Sequence, residues 1–267
     1  MAVAVAEAWL ALLARRRGVS VHDIAIGEDG GWSAAGPVDP AAAALLDLYA
    51  PYAAVAQGRG FAVAHLAQSL DGRIATTGGA SQWISGESDI IHAHRMRALA
   101  DAVVVGAETV RRDDPQLTVR RCAGPNPRRV VLDPKLSLCG DCRLMSKGAE
   151  GCLVVAAAET PAADPPGVDV LRLPSRDGEL DPREIRAALA ARGLFFLFIE
   201  GGGRTVSRFL AAGALDRLQL AVAPILLGSG RPSLAMAEIA TVEAGLRPRM
   251  RRFELGEDML FECILRD

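Results

Sequence analysis

The sequence lacks most of what would mark a membrane, nucleic-acid or metal protein. Its formal net charge is −2 over 267 residues, which leaves no basic footprint for nucleic acid or an anionic surface. No apolar stretch approaches the ~20 residues of a membrane-spanning helix, and the longest are of strand length. The opening segment, MAVAVAEAWLALLARRRG, carries its arginines after the apolar run, the reverse of a secretory signal. It reads as an amphipathic helix of a cytoplasmic protein. Cysteines number only 5. Cys139 and Cys142 form a C-x-x-C with Cys122 and Cys152 nearby, but these spacings match no paired zinc-knuckle pattern. Reduced, incidental thiols and no bound metal are expected. His22, His65, His92 and His94 are scattered, and His65, inside an apolar strand, reads as a satisfied core histidine. No Ser/His/Asp or Cys/His arrangement stands at useful spacing. Chemistry without a nucleophile or a metal points to a cofactor.

What is present is a chain 50% hydrophobic and 23% charged, enough for one large α/β domain or two small ones. Residues 1–57 hold an Ala-rich helix, a turn-dense middle (GEDGGWSAAGPVDP) and a second helix, PAAAALLDLYAPYAAVAQ. From Phe61, short apolar runs alternate with helix-period segments: FAVAHLA, a helix near 86–100, DAVVVGA, RRVVLD, CLVVAA and VDVLRL. A helix at 181–192, LFFLFIE, a helix at 204–212 and RLQLAVAPILLG follow. The pattern predicts an α/β fold with a mostly parallel central sheet covered on both faces. The last pair of runs, split by GED, predicts an antiparallel C-terminal edge hairpin.

Three stretches carry candidate chemistry. In FIEGGGRTVSRFL, a buried strand ending in Glu200 meets three glycines and a helix start, an arrangement suited to an anion because free N–H groups and the helix dipole point outward. In AQSLDGRIATTGGASQWISG, Asp71 heads a turn and a glycine loop bears Ser81 and Trp83, where an indole could wall a heteroaromatic ring. In DAVVVGAETVRRDDPQLTVR, the strand stops at Gly106, and Thr109, Asp113, Leu117 and Arg120 follow in a long polar connection. The outer charges of RRDD read as a self-neutralising solvated cluster. Arg97 admits two readings, an i,i+4 ion pair with Asp101 or a phosphate clamp shared with Arg120.

These three stretches, in this order, resemble the reductase domain of bacterial riboflavin biosynthesis, a family similar in fold to dihydrofolate reductase. The resemblance covers residues 61–267 and leaves 1–60 as an unassigned N-terminal helical extension; the family's zinc deaminase motifs are missing there, so a stand-alone reductase is expected. It implies a three-layer dihydrofolate reductase-like sandwich. The implied reaction is NADPH-dependent reduction of 5-amino-6-(5-phosphoribosylamino)uracil to its ribitylamino product. By matching positions, Ala67, Trp83, Thr109, Asp113, Gly202, Gly203, Arg204 and Thr205 would line the NADPH site. Ser81, Arg97, Leu117, Arg120 and Glu200 would hold the phosphorylated pyrimidine, and Asp71 would serve near the reacting ribose. Glu108 departs from the family, standing where a glycine is usual. The alternatives are an NADPH reductase of a pterin, folate or other heterocycle, and a non-catalytic NADPH-binding protein. The apolar late strand LQLAVAPILLG, taken with the resemblance, suggests a homodimer.

Overall fold

The computed structural model describes residues 2–20, 23–138, 142–145 and 152–266. The chain opens with α1 (Val5–Arg16), a small hairpin of β1 (Ile24–Ile26) and β2 (Trp32–Ala34), and α2 (Pro40–Ala53). Then come β3 (Phe61–Ser69), β4 (Arg73–Ala75), α3 (Glu87–Leu99), β5 (Ala102–Gly106), α4 (Ala107–Asp113), β6 (Arg128–Leu132), β7 (Cys152–Ala157) and β8 (Asp169–Leu173). Short β9 (Ser175–Arg176) and β10 (Glu179–Leu180) precede α5 (Pro182–Ala191), β11 (Phe196–Glu200), α6 (Gly203–Ala211) and β12 (Arg217–Ala223). Last are β13 (Arg231–Pro232), β14 (Arg249–Leu255) and β15 (Asp258–Ile264).

Nine strands form one sheet in the order β14-β15-β12-β3-β11-β5-β6-β7-β8. The strands from β12 to β8 run parallel, and β15 joins antiparallel to both β12 and β14. The α/β expectation with an antiparallel C-terminal hairpin is borne out. Alternation along the strands divides the core into two layers. Val63, Phe196 and Phe198 face a cluster shared with α1, α2 and α3, whereas Ala62, Ala64, Leu197 and Ile199 face one containing Phe209 of α6 and Ile185 and Leu189 of α5. Asp39 and Asp181 start α2 and α5 by accepting from the N–H groups of Ala41 and Arg183, each followed by a proline at the first helical position.

Two expectations change here. The connection after β5 begins as helix α4, because Glu108 pairs along it with Arg111 and Arg112 at i,i+3 and i,i+4. Arg111 and Arg112 therefore share Glu108 as their partner, while Asp114 pairs with Arg143. Strand β12 does not supply an open apolar edge, since it lies between β15 and β3 in the sheet interior. The edge is β14, whose Arg249, Arg251 and Arg252 discourage further strand pairing.

Helices α1 and α2 pack onto the sheet. Trp9, Leu12, Leu46, Tyr49 and Tyr52 are buried in the same cluster as Met96, Val103 and Phe198. The Arg16 side chain, also buried, donates to the carbonyls of Leu99 and Val55 and to Asp101 Oδ1 at 2.6 Å. The other Asp101 oxygen accepts from the N–H groups of Phe195 and Phe196. Asp101 thus has Arg16 as its partner, not Arg97. A buried polar chain ties α2 to α3 and the sheet: Tyr49 OH bonds His92 Nδ1, His92 Nε2 bonds Gln219 Oε1, and Gln219 Nε2 donates to Tyr52 OH. Tyr52 OH then donates to Glu262, which Arg251 Nη2 meets at 2.5 Å. Burial, reinforced by neighbouring His65, lowers the His92 pKa to about 4, so the ring stays neutral in this chain near neutral pH.

Candidate active site

A cleft of about 860 Å³ opens beyond the carboxyl ends of β3, β5 and β11, where ligands bind in open α/β sheets. Its middle is built by two interlocked strand–helix junctions. Gly106 starts α4, and a Cβ there would meet Thr205 Oγ1 at 2.7 Å; Gly202 starts α6, and a Cβ there would meet Thr109 Oγ1 at 2.9 Å. Gly201 and Gly202 hold φ values of +82° and +62°, and a Cβ on Gly203 would lie 2.3 Å from the Ser233 carbonyl oxygen. The glycine triplet is therefore required by the chain's own close approach and left-handed backbone, besides any ligand. Valine at 202 would strike Thr109 and strain the backbone, so its effect on folding is not separable from one on binding. The start of α6 has no side-chain cap, which leaves this nine-residue helix with its N-terminal end open to the cleft.

Among the sequence-predicted residues, Ala67, Ser81, Arg97, Thr109, Asp113, Arg120, Glu200, Gly202, Gly203, Arg204 and Thr205 line this one cleft. Three do not. Asp71 accepts from the Ser69 hydroxyl and from the backbone N–H groups of Leu227 and Gly228; these bonds, the Ser69 one foremost, lower its pKa to about 2 and fix it as the clamp of a turn. Trp83 projects into solvent at 79% exposure from a residue with φ +66°. Leu117, with φ +52°, turns its side chain into the core. Cys139, half of the C-x-x-C, and His22 lie outside the described residues. Among the described residues, no group of three or more His, Cys, Asp or Glu could hold a metal ion.

Arg97 and Glu200 form a bidentate pair, Nε to Oε1 at 2.6 Å and Nη2 to Oε2 at 2.5 Å, and Arg97 Nη1 donates to the Thr118 carbonyl. Three of the guanidinium's five N–H bonds are committed. Arg120, by contrast, has one long side-chain contact, 3.4 Å to Thr118 Oγ1, and is held in place by its backbone N–H donating to His94 Nδ1. Burial and the nearby Arg97 and Arg121 cations lower its pKa. The cationic end of the cleft is thus Arg120, with Arg97 spent on orienting Glu200. On the opposite side, burial raises the Asp113 carboxyl, opposed by Arg112, Arg231 and the Ser81 hydroxyl.

Among the cleft-wall residues that the sequence reading missed are His65 and Asp89. His65 is not a satisfied core histidine. It lines the cleft, its Nε2 stands 3.1 Å from Asp89 Oδ1, and its Nδ1 has no hydrogen-bond partner. Asp89 lines the cleft from α3 and accepts from Ser85 Oγ. His65 reads as apolar because its strand neighbours are, and its partner lies on a different element 24 residues onward, a pairing that only the fold brings about.

The sequence model of the RibD C-terminal domain matches residues 61–255. The chain is 34% identical over 211 residues to the riboflavin biosynthesis protein RibD of Aquifex aeolicus, covering 77% of this chain and 58% of that one. It is 32% identical over 216 residues to the 2,5-diamino-6-ribosylamino-4(3H)-pyrimidinone 5′-phosphate reductase of Methanothermobacter thermautotrophicus, covering 76% and 97%. A solved deaminase/5-amino-6-(5-phosphoribosylamino)uracil reductase from Thermotoga maritima superposes with a TM-score of 0.66 at 30% identity, over 77% of this chain and 56% of that one. The chain spans 57–58% of the length of the first RibD relatives it matches.

Proposed function

The chain belongs to the RibD C-terminal domain family, and on that premise we propose that it reduces 5-amino-6-(5-phosphoribosylamino)uracil to the ribitylamino product with NADPH. The observation that carries this reading is the polarity of one cleft: an uncapped helix start with its glycines at the middle, and an uncommitted arginine at the far end. The residues present fit a dinucleotide. Gly202, Gly203, Arg204 and Thr205 would take its diphosphate, with Thr109, Asp113 and Ala67 beside it. When bound, NADPH supplies a hydride. Arg120 would hold the substrate phosphate, Ser81 a further polar group, and Glu200, aimed by Arg97, would accept from the ribose hydroxyls or the pyrimidine. The protein's part is orientation and exclusion of water, with no covalent nucleophile.

A second reading rests on the Methanothermobacter relative, which matches over nearly its whole length and is named for the 2,5-diamino pyrimidinone. That substrate carries an amino group where the uracil carries an oxygen. The test is NADPH oxidation, followed by absorbance, with each of the two phosphoribosylamino pyrimidines and with dihydrofolate. Turnover of the uracil in preference to the diamino compound is expected. Turnover of neither pyrimidine would end both readings, and cofactor binding without turnover of anything would leave a non-catalytic binding protein.

A cytoplasmic homodimer completes the proposal. No helix among the described residues is long and apolar enough to cross a membrane. Leu226, Met236, Ile239, Val242, Leu246 and Met250 are exposed within one stretch of chain, apolar surface of the kind a second copy would cover. Light scattering should give twice the 28.1 kDa chain mass at micromolar concentration, and a mass of 28.1 kDa there would refute the dimer.

A further inference from the structure

The diphosphate seat assigned above, at the start of α6 beside Thr109, divides the cleft in two. Nicotinamide has to meet the substrate near Glu200 and Arg120, at the β11 and β3 end. The adenosine half therefore leaves the other way, past β5 to β6, one strand spacing of about 4.8 Å further out. The chain after β6 makes a turn there, closed by the Leu136 N–H donating to the Asp133 carbonyl, with Pro134 and Lys135 at its tip. Buried Asp133 anchors the turn: Oδ1 accepts from the Ser137 hydroxyl at 2.9 Å and Oδ2 from the Leu138 N–H at 2.8 Å. Ser137 Oγ accepts in turn from Arg111 Nη2 at 2.9 Å, which sets that guanidinium against the same wall. Lys135, Ser137 and Arg111 all line the cleft.

We propose that Lys135 and Arg111 hold a phosphate on the 2′-oxygen of the adenosine ribose, and so select the phosphorylated nicotinamide dinucleotide over the unphosphorylated one. This rests on the reductase reading above, which by itself does not separate the two cofactors. Dinucleotide sites that take the bare ribose offer a carboxylate to its 2′-hydroxyl, and those that take the 2′-phosphate offer a cation. The carboxylates lining this side of the cleft are Glu108, Asp133 and Glu179, and each has both oxygens occupied. Glu108 is held by Arg111 Nη1 at 2.7 Å and Arg112 Nε at 2.6 Å, Asp133 by Ser137 and Leu138, and Glu179 by Arg204 at 2.5 Å and Arg208 at 3.1 Å. Asp113 faces Ser81 and Arg231 instead. The cations are the groups with capacity left. Lys135 is exposed and has no acidic partner among the described residues. Arg111 uses two of its five N–H bonds, one on Glu108 and one on Ser137, and keeps three.

Glu108, standing where the family usually has glycine, holds Arg111 near the turn without locking it there. Side-chain exposure is 48% for Arg111 and 58% for Glu108, so the pair contributes little on its own and yields to a doubly charged phosphate. The Ser137 contact, backed by buried Asp133, keeps the guanidinium in position meanwhile. Ser137 spends its proton on Asp133 and is a positioning residue only. Lys135 adds a compact charge on a flexible stem, and Arg111 a planar fork, which together suit a phosphate at a solvent-facing rim.

The test needs no turnover. The intact chain is titrated by calorimetry with NADP⁺ and with NAD⁺, which differ only in the 2′-phosphate. Wild type should bind NADP⁺ about a hundredfold more tightly, from two charge-assisted contacts at about tenfold each. Lys135→Ala should lose about tenfold for NADP⁺, and Lys135→Glu more, with NAD⁺ unchanged within about twofold in both. A lysine that only shapes its turn would lose affinity for the two alike. The preference should also shrink as salt is raised, because the charges face solvent. Equal wild-type affinities, or equal losses for both dinucleotides in Lys135→Ala, overturn the proposal, and turnover of the pyrimidine by that same wild type keeps the reductase reading standing. A preference for NADP⁺ that Lys135→Ala removes, in a chain that turns over no pyrimidine, supports the phosphate seat and overturns the reductase reading. Binding of neither dinucleotide overturns both.

Discussion

Arg97→Ala should lower stability by about 3–5 kcal/mol and abolish turnover, with no preference for phosphorylated over phosphate-free substrate. The cause is what the substitution leaves behind: a Glu200 side chain only 14% exposed, without the guanidinium that grips both of its oxygens. Removing one member of a buried pair costs far more than the pair itself contributes. Lysine at 97 keeps the charge but not the planar fork, so it should recover only part of the loss. The double variant Arg97→Met/Glu200→Gln should restore most of the stability and none of the activity, which separates folding from function. Arg120→Ala should do the reverse. Stability should change by less than ~0.5 kcal/mol, as for a surface substitution, while the Michaelis constant for the phosphorylated substrate rises about ten- to a hundredfold from one lost charge-assisted contact. Thermal unfolding and steady-state kinetics on the same preparations check all four. If Arg97→Ala unfolds like wild type and loses affinity only for the phosphorylated substrate, Arg97 is the phosphate clamp and its pairing with Glu200 yields when ligand binds.

The sequence made the sheet class and the position of the cleft legible because both follow from local pattern. Buried β-branched runs mark the central strands, and glycines mark the two junctions where chain passes closest to chain. Roles that depend on partners remote in sequence were not legible. Asp71 and a catalytic aspartate give the same Asp-Gly signal, and only the arrival of Leu227 and Gly228 makes Asp71 a turn clamp. Arg97 stands four residues from Asp101, an ordinary helical pair on paper. The helix ends between them, and β11 brings Glu200 to one while α1 brings Arg16 to the other. The order of strands is likewise silent: β3 inserts between β11 and β12, which converts an apparent apolar edge into the middle of the sheet.

The same remoteness hides what residues 1–60 do, and their removal should have the largest effect of all. A chain beginning at residue 61 is expected not to fold. It would lose Trp9, Leu12, Leu46, Tyr49 and Tyr52, which are at most 5% exposed and belong to the core cluster on one face of the sheet. At ~1.5–3 kcal/mol for each large apolar side chain, five such losses rival the ~5–15 kcal/mol by which a domain is stable. The polar losses act in the same direction. Asp101 would keep its two backbone N–H donors but lose its arginine, and Gln219 and Glu262 would lose the hydroxyl between them. Single substitutions grade the effect. Arg16→Ala should cost about 3 kcal/mol by leaving Oδ1 of the partly buried Asp101 carboxylate without its arginine and the Leu99 carbonyl without its side-chain donor, and Tyr52→Phe about 1–3 kcal/mol. Near-UV circular dichroism and solubility of the truncated chain, beside denaturant titrations of the two point variants, make the measurement. A soluble 61–267 fragment with native-like tertiary signal would sink the claim and make the first 60 residues an appendage. If it also turned over substrate, the chain from β3 onward would be the whole catalytic unit. The expected outcome gives the segment a definite job: α1 and α2 form the layer that holds α3, and with it His92, Arg97 and Asp89, against the floor of the cleft.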